Sequence, residues 1–150
     1  MSGIIAQNVG RPSGLIKAAA GGGGTWTEIK SLTASTDSTI SFVDGTSDVV
    51  LDSTYPIYCF RFINIHPVTD SAHFQVNFRD GDSLYDATKT TTCFRAVADE
   101  ADSSFALGYL TGLDLAQSTA VQKISGTIGN LNDESFSGTL LLYNPASTDF

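Results

Sequence analysis

Between residues 73 and 79 apolar and polar side chains alternate without a break. Phe74, Val76 and Phe78 face one way; His73, Gln75, Asn77 and Arg79 face the other. Alternation with a period of two marks a β-strand with one buried face. The run ends at the turn-forming cluster Asp80-Gly81-Asp82-Ser83. Residues 57–65 predict a second strand, in which Tyr58, Phe60 and Phe62 alternate with Cys59, Arg61 and Ile63. Because most of this stretch is apolar on both sides, it reads as a central strand covered on both faces or lying at a subunit contact. The connector over residues 66–71 is short enough to make the two strands neighbours, which predicts a hairpin with an open loop.

The same pattern, less regular, recurs along the chain. Residues 26–33 and 38–43 predict strands near the start, and residues 138–144 predict one at the end, closed by Asn144-Pro145. Residues 120–126, 90–96 and 104–110 predict three more, and residues 96–101 a helical turn. No segment holds helical periodicity beyond two turns, while Ser and Thr, which suit the exposed faces of sheets, are abundant throughout. Seven to nine short strands between polar turns predict an all-β fold: an antiparallel β-sandwich, with a jelly roll as the expected topology.

The first 24 residues break the pattern. They carry Arg11 and Lys17 and no acid, whereas the rest of the chain holds six Lys or Arg against all sixteen Asp and Glu. An arm of net charge +2 is thus tied to a body of net charge −10, giving the −8 of the whole. The tie is Gly21 to Gly24, four residues that impose no backbone conformation. Fully extended, such an arm would span about 80 Å, far beyond the roughly 14 Å radius of gyration of a compact body this size. A Gly-rich terminus is ordered only where something ties it down. The reading is therefore an extended arm and linker over residues 1–24, held by a partner, followed by one β-sandwich domain over residues 25–150. Within the arm the apolar pairs Ile4-Ile5 and Leu15-Ile16, with the cations Arg11 and Lys17, are the expected partner-binding residues.

Composition narrows the function. A net charge of −8 argues against nucleic acid as the main partner, since phosphate binding needs a basic surface. Two cysteines, Cys59 and Cys93, make no disulfide framework and read as small hydrophobes. No secretory signal and no apolar run of membrane-spanning length is visible, so a chain made and kept in a cytoplasm is expected.

The search for chemistry returns little. His66 precedes a proline in a loop, and His73 lies on the polar face of its strand. Cys59 with His73 lacks a third group to orient the pair, so no catalytic residue is expected. Asp80, Asp82 and Asp86 place oxygen ligands at alternating positions that would suit calcium. They miss the EF-hand pattern, however, and a solvated turn is the simpler reading, so neither a metal nor a cofactor is expected. The glycine run lacks the Lys-Ser/Thr of a phosphate loop. Trp26, Tyr55, Tyr58, Tyr85, Tyr109 and Tyr143 would suit a sugar platform, but a lone tryptophan at the start of the first strand more often caps a sandwich core.

The opening MSGIIAQNVGRPSGLIKA, the stretches WTEIKSLTASTDSTISF and YPIYCFRFINIHPVTDSAHFQVNF, and the ending SGTLLLYNPASTDF together resemble small virion proteins of tailed phages, especially those of marine bacteria. The resemblance covers most of the chain and is carried best by the MSGII start and the FxFxNIxPxTD strand. It implies a non-enzymatic virion structural protein, made in the host cytoplasm and resident in the virion. Proteins of this kind serve on capsids and on tails. The chain has no heptads, collagen-like repeat or β-helical repeat, the usual shaft-builders. One compact domain with an arm suits a capsid decoration, or cement, protein bound to the major capsid protein, as a homotrimer, with neither nucleic acid nor membrane as partner. A tail or fibre component that contacts a host receptor or carbohydrate is the alternative. A stand-alone carbohydrate-binding module and a hydrolase are the readings from other classes.

Overall fold

The structure is a computed structural model and describes residues 26–81 and 83–148. Its regular structure is all β, and no helix occurs among the described residues. The chain divides into two compact units. One comprises the residues up to Tyr55 together with those from Pro145 onward; the other is Pro56–Asn144.

The first unit holds no strand among its described residues. The strands expected over residues 26–33 and 38–43 do not form. Aspartates in the segments that flank them give the backbone local partners in place of a ladder. Asp37 Oδ2 accepts from the Ser35 amide at 3.0 Å, Asp44 Oδ1 from the Leu51 amide at 2.8 Å, and Asp52 Oδ1 from the Thr54 amide at 2.7 Å. A tight loop follows residue 43, where the Thr46 amide donates to the Val43 carbonyl and the Gly45 amide to the Val49 carbonyl, each at 3.0 Å. Ser47 and Asp48 take left-handed φ angles of 52° and 66°, and Val49 is carried into the interior at 5% exposure. Trp26, expected over a sandwich core, is 68% exposed.

The second unit contains six strands: β1 (Ile57–Ile65), β2 (Ala72–Val76), β3 (Phe94–Ala98), β4 (Phe105–Tyr109), β5 (Gln122–Ile128) and β6 (Phe136–Tyr143). They form three antiparallel pairs, β1 with β6, β2 with β5 and β3 with β4. The pairing is nested: the chain runs out through β1, β2 and β3, turns after Ala98, and returns alongside itself through β4, β5 and β6. The hairpin expected between the strands at 57–65 and 73–79 is therefore replaced by pairing with distant partners. Nor is β1 flanked on both edges by ladders; it has one partner, β6. The helical turn expected over residues 96–101 is instead the end of β3 and the turn that leads into β4.

Complementary faces explain the choice of partner for β1. Tyr58 stands opposite Leu142, Phe60 opposite Leu140 and Phe62 opposite Gly138, all on one face. On β6, Phe136, Gly138, Leu140 and Leu142 are half-buried, while Ser137, Thr139, Leu141 and Tyr143 are exposed. Cross-strand apolar pairs of this kind are the unit of sheet stabilisation, and Tyr58, at 3% exposure, is the best buried of them. The register slips between Phe62 and Ile65. There Asn64 takes a left-handed φ of 53° and its amide donates to Ser137 Oγ at 3.0 Å. This is a bulge, with asparagine at the position that tolerates it.

β2 pairs with β5; Phe74 and Val76 are half-buried and Gln75 is exposed, as the alternation predicts, whereas His73 and Asn77, expected on the exposed face, are half-buried too. Phe78 is also half-buried, just beyond the strand end. A second irregularity falls between His73 and Gln75. Ser125 fills it, its Oγ accepting from the Phe74 amide at 2.7 Å. Phe74 then joins the β1–β6 ladder to the β2–β5 ladder. Its ring meets Phe62 edge-on at 4.8 Å between centroids and Phe136 at 5.1 Å, and Phe62 and Phe136 lie 6.2 Å apart. Gly138 makes room for this cluster: a Cβ there would stand 2.7 Å from the tip of the Phe136 ring.

A candidate assembly surface

The residues expected to bind a partner, Ile4, Ile5, Arg11, Leu15, Ile16 and Lys17, lie outside the described residues. What the structure adds is a surface of unusual apolarity on the body. Among the described residues only Val49 and Tyr58 are buried apolar side chains, whereas Val68 is 79% exposed, Ile63 68% and Leu131 63%. Single exposed hydrophobes are ordinary. A contiguous set is not, and one exists on the β3–β4 hairpin.

In that hairpin every residue of both strands is exposed. The register pairs Phe94 with Tyr109, Ala96 with Leu107 and Ala98 with Phe105, and side chains of directly paired residues share a face. One face is thus built wholly from Phe94, Ala96, Ala98, Phe105, Leu107 and Tyr109. The other carries Arg95 and Val97 opposite Gly108 and Ala106. The rings of Phe94 and Tyr109 touch, with centroids 5.3 Å apart. Tyr109 donates its hydroxyl to Asp114 Oδ2, and the neighbouring carboxylate pushes the Tyr109 pKa above the usual phenol value.

The turn of the hairpin is fixed by Asp99. Its Oδ1 accepts from the Ser103 amide at 2.7 Å and the Ser104 amide at 3.0 Å, and its Oδ2 accepts from Ser103 Oγ at 2.6 Å. These donors favour the carboxylate, the Ser103 hydroxyl most, and hold the Asp99 pKa below its ordinary value. At the open end the ladder continues irregularly. The Leu110 amide donates to the Cys93 carbonyl and the Thr91 amide to the Leu115 carbonyl, each at 2.8 Å, and Lys89 bridges to Ser118. Thr91 Oγ1 donates to Gln122 Oε1 at 2.6 Å, tying this extension to β5.

An open groove lies beside the hairpin, lined in part by His73, Arg95, Tyr109 and Thr127. His73 donates from Nδ1 to the Ser125 carbonyl at 3.1 Å, which fixes its tautomer. His66, in its loop, donates from Nε2 to Asn64 Oδ1 at 3.0 Å. Cys59 stands opposite Leu141 on the β1–β6 ladder and His73 on the β2–β5 ladder, and both cysteines are free thiols, half-buried. Of the acidic turn, Asp80 is exposed, Asp86 is half-buried and Asp82 lies outside the described residues. Among the described residues no group of three or more His, Cys, Asp or Glu is placed to hold a metal ion. Of the aromatics considered for a sugar platform, Tyr58 is buried, and Tyr85 lies under the Arg79 guanidinium, 5.4 Å from its ring centre.

The strands β3 and β4 were legible in part, as residues 90–96 and 104–110, but their apolar face was not, because Val97, Ala106 and Gly108 on the opposite side are not polar and leave no clear alternation. The usable signal was the pairing register, which becomes visible only once the hairpin turn is placed at Asp99.

The chain matches no protein-family model, and no curated protein or solved structure is significantly similar to it.

Proposed function

We propose that this protein is a non-enzymatic structural component of a phage virion, most simply a capsid decoration protein anchored through its basic N-terminal arm to the major capsid protein. The observation that carries the reading is the scarcity of buried apolar side chains among the described residues, Val49 in one unit and Tyr58 in the other, against a broad set of exposed ones, with a hairpin face wholly apolar. Such a surface suits a protein whose stable state is an assembly. The charge division between arm and body, and the resemblance of the sequence to small virion proteins, point the same way. The nested pairing β1–β6, β2–β5, β3–β4 is what a long hairpin rolled into a jelly roll would give, and a sandwich of that topology is the architecture we assign to the assembled subunit. A tail or fibre component remains the second reading, favoured by the same exposed aromatics, which also suit a receptor or a carbohydrate.

Copy number distinguishes them. Quantitative mass spectrometry of purified particles should find hundreds of copies per virion. A few, or a few dozen, would place the protein on the tail.

A further inference from the structure

We infer that the apolar face of the β3–β4 hairpin is an interface between two copies of this chain, paired about a two-fold axis that runs parallel to the strands. This goes beyond the virion reading and does not depend on where in a particle the protein sits.

A two-stranded hairpin is at best marginally stable alone in water, yet this one is exposed along both strands. Leu107 is 84% exposed, Phe94 73%, Phe105 66% and Tyr109 45%. With aromatic side chains of roughly 150–250 Å² each, the face offers about 600 Å². Two such faces together bury at most about 1,200 Å², the lower end of the range of specific interfaces.

The identity of the occupant follows from shape and charge. β3 presents a row of small residues, Ala96 and Ala98, and β4 a row of large ones, Phe105, Leu107 and Tyr109. Rotation about an axis parallel to the strands lays β3 of one copy over β4 of the other. Ala96 then receives Leu107, Ala98 receives Phe105, and Phe94 stacks against Tyr109. The face is thus complementary to itself, as a two-fold interface requires. None of its six residues is Lys, Arg, Asp or Glu; Arg95, the single charge of the hairpin strands, is on the opposite face, and the Asp114 carboxylate meets the face at the Tyr109 hydroxyl. Two bodies that each carry net −10 repel elsewhere, so an uncharged face is where they can meet. A two-fold contact yields an even number of copies, and so stands against the homotrimer expected from the sequence.

Sedimentation velocity on the full chain across the micromolar range tests this. The expected result is a species of twice the 15.8 kDa chain mass. Leu107→Glu places a charge at the centre of the face and should weaken pairing at least tenfold, or about 1.4 kcal/mol. Val68→Glu, at an exposed position outside the hairpin, should leave it unchanged. Should Leu107→Glu lose its β circular dichroism, hydrogen exchange on the wild-type chain decides: amide protection in β3 and β4 should rise with protein concentration. A monomeric wild type, an odd-numbered assembly, a Leu107→Glu variant that still pairs, equal loss in Val68→Glu, or concentration-independent exchange would each overturn the pairing. None of these outcomes bears on copy number in particles, so the two proposals can fail separately.

Discussion

At the scale of single residues, two polar side chains do most to fix the β3–β4 hairpin. Asp99 closes the turn with three hydrogen bonds, and its lowered pKa sets the sign of the pH effect. The folded value lies below the unfolded one, so this contribution is fully present above the unfolded carboxyl pKa and is lost as pH falls through the folded value. Asp99→Ala should therefore lower amide protection factors in β3 and β4 at neutral pH, and remove the fall in those protection factors that acidification causes in the wild type. Unchanged exchange would mean that the turn holds without the carboxylate. Tyr109 works in the opposite sense. Its raised pKa stabilises the fold below the unfolded phenol value, and that stabilisation is lost as pH rises through the folded one. In an ultraviolet titration Tyr109→Phe should remove a step that ionises above the ordinary phenol value; an unchanged titration curve would mean that Asp114 does not hold the phenol protonated. In the sequence Tyr109 stood out only as one of several aromatics, and Asp99, between Ala98 and Glu100, not at all. Their roles depend on partners four and five positions away, brought round by a turn that no local pattern specified.

At the scale of elements, periodicity located strands well and failed to say which strands pair. Residues 57–65 form β1 with the boundaries the pattern gives, and Phe74 and Val76 are half-buried with Gln75 exposed between them, although His73 and Asn77 are half-buried as well. The expected hairpin between β1 and β2 rested on a short connector, and face chemistry overrode it: Phe60 opposite Leu140 and Tyr58 opposite Leu142 bring more apolar surface together than a neighbour with alternating polar residues would. Residues 26–33 and 38–43 form no ladder; the segments that flank them are held instead by local bonds from Asp37, Asp44 and Asp52 to nearby backbone amides. The Phe62–Phe74–Phe136 cluster is where the ladders meet, so Phe74→Ala should cost about 3 kcal/mol in a urea titration. A loss of a few tenths would show that the ladders are held together elsewhere. Gly138→Ala should cost about 1–3 kcal/mol by driving a Cβ against the Phe136 ring; a neutral or stabilising effect would show that the ring swings aside freely.

At the scale of the whole molecule, the contrast between arm and body was legible at once, because charge and glycine content are written in the sequence. The scarcity of buried apolar side chains among the described residues was not: composition counts apolar residues without saying how many remain in water. Both features bear on assembly. A chain lacking residues 1–24 should remain soluble and β-rich by circular dichroism, since the strands begin well after the arm, yet fail to join particles. Full occupancy by the truncated chain would remove the arm from the account. If the protein cements a capsid, it binds the assembled shell and stabilises it by mass action, and repetition multiplies a small gain at each site. The most direct measurement is the temperature at which particles with and without this protein release their DNA. Particles lacking it should assemble and then leak at a lower temperature. An unchanged release temperature together with lost adsorption to host cells would contradict the decoration reading and assign the protein to the tail.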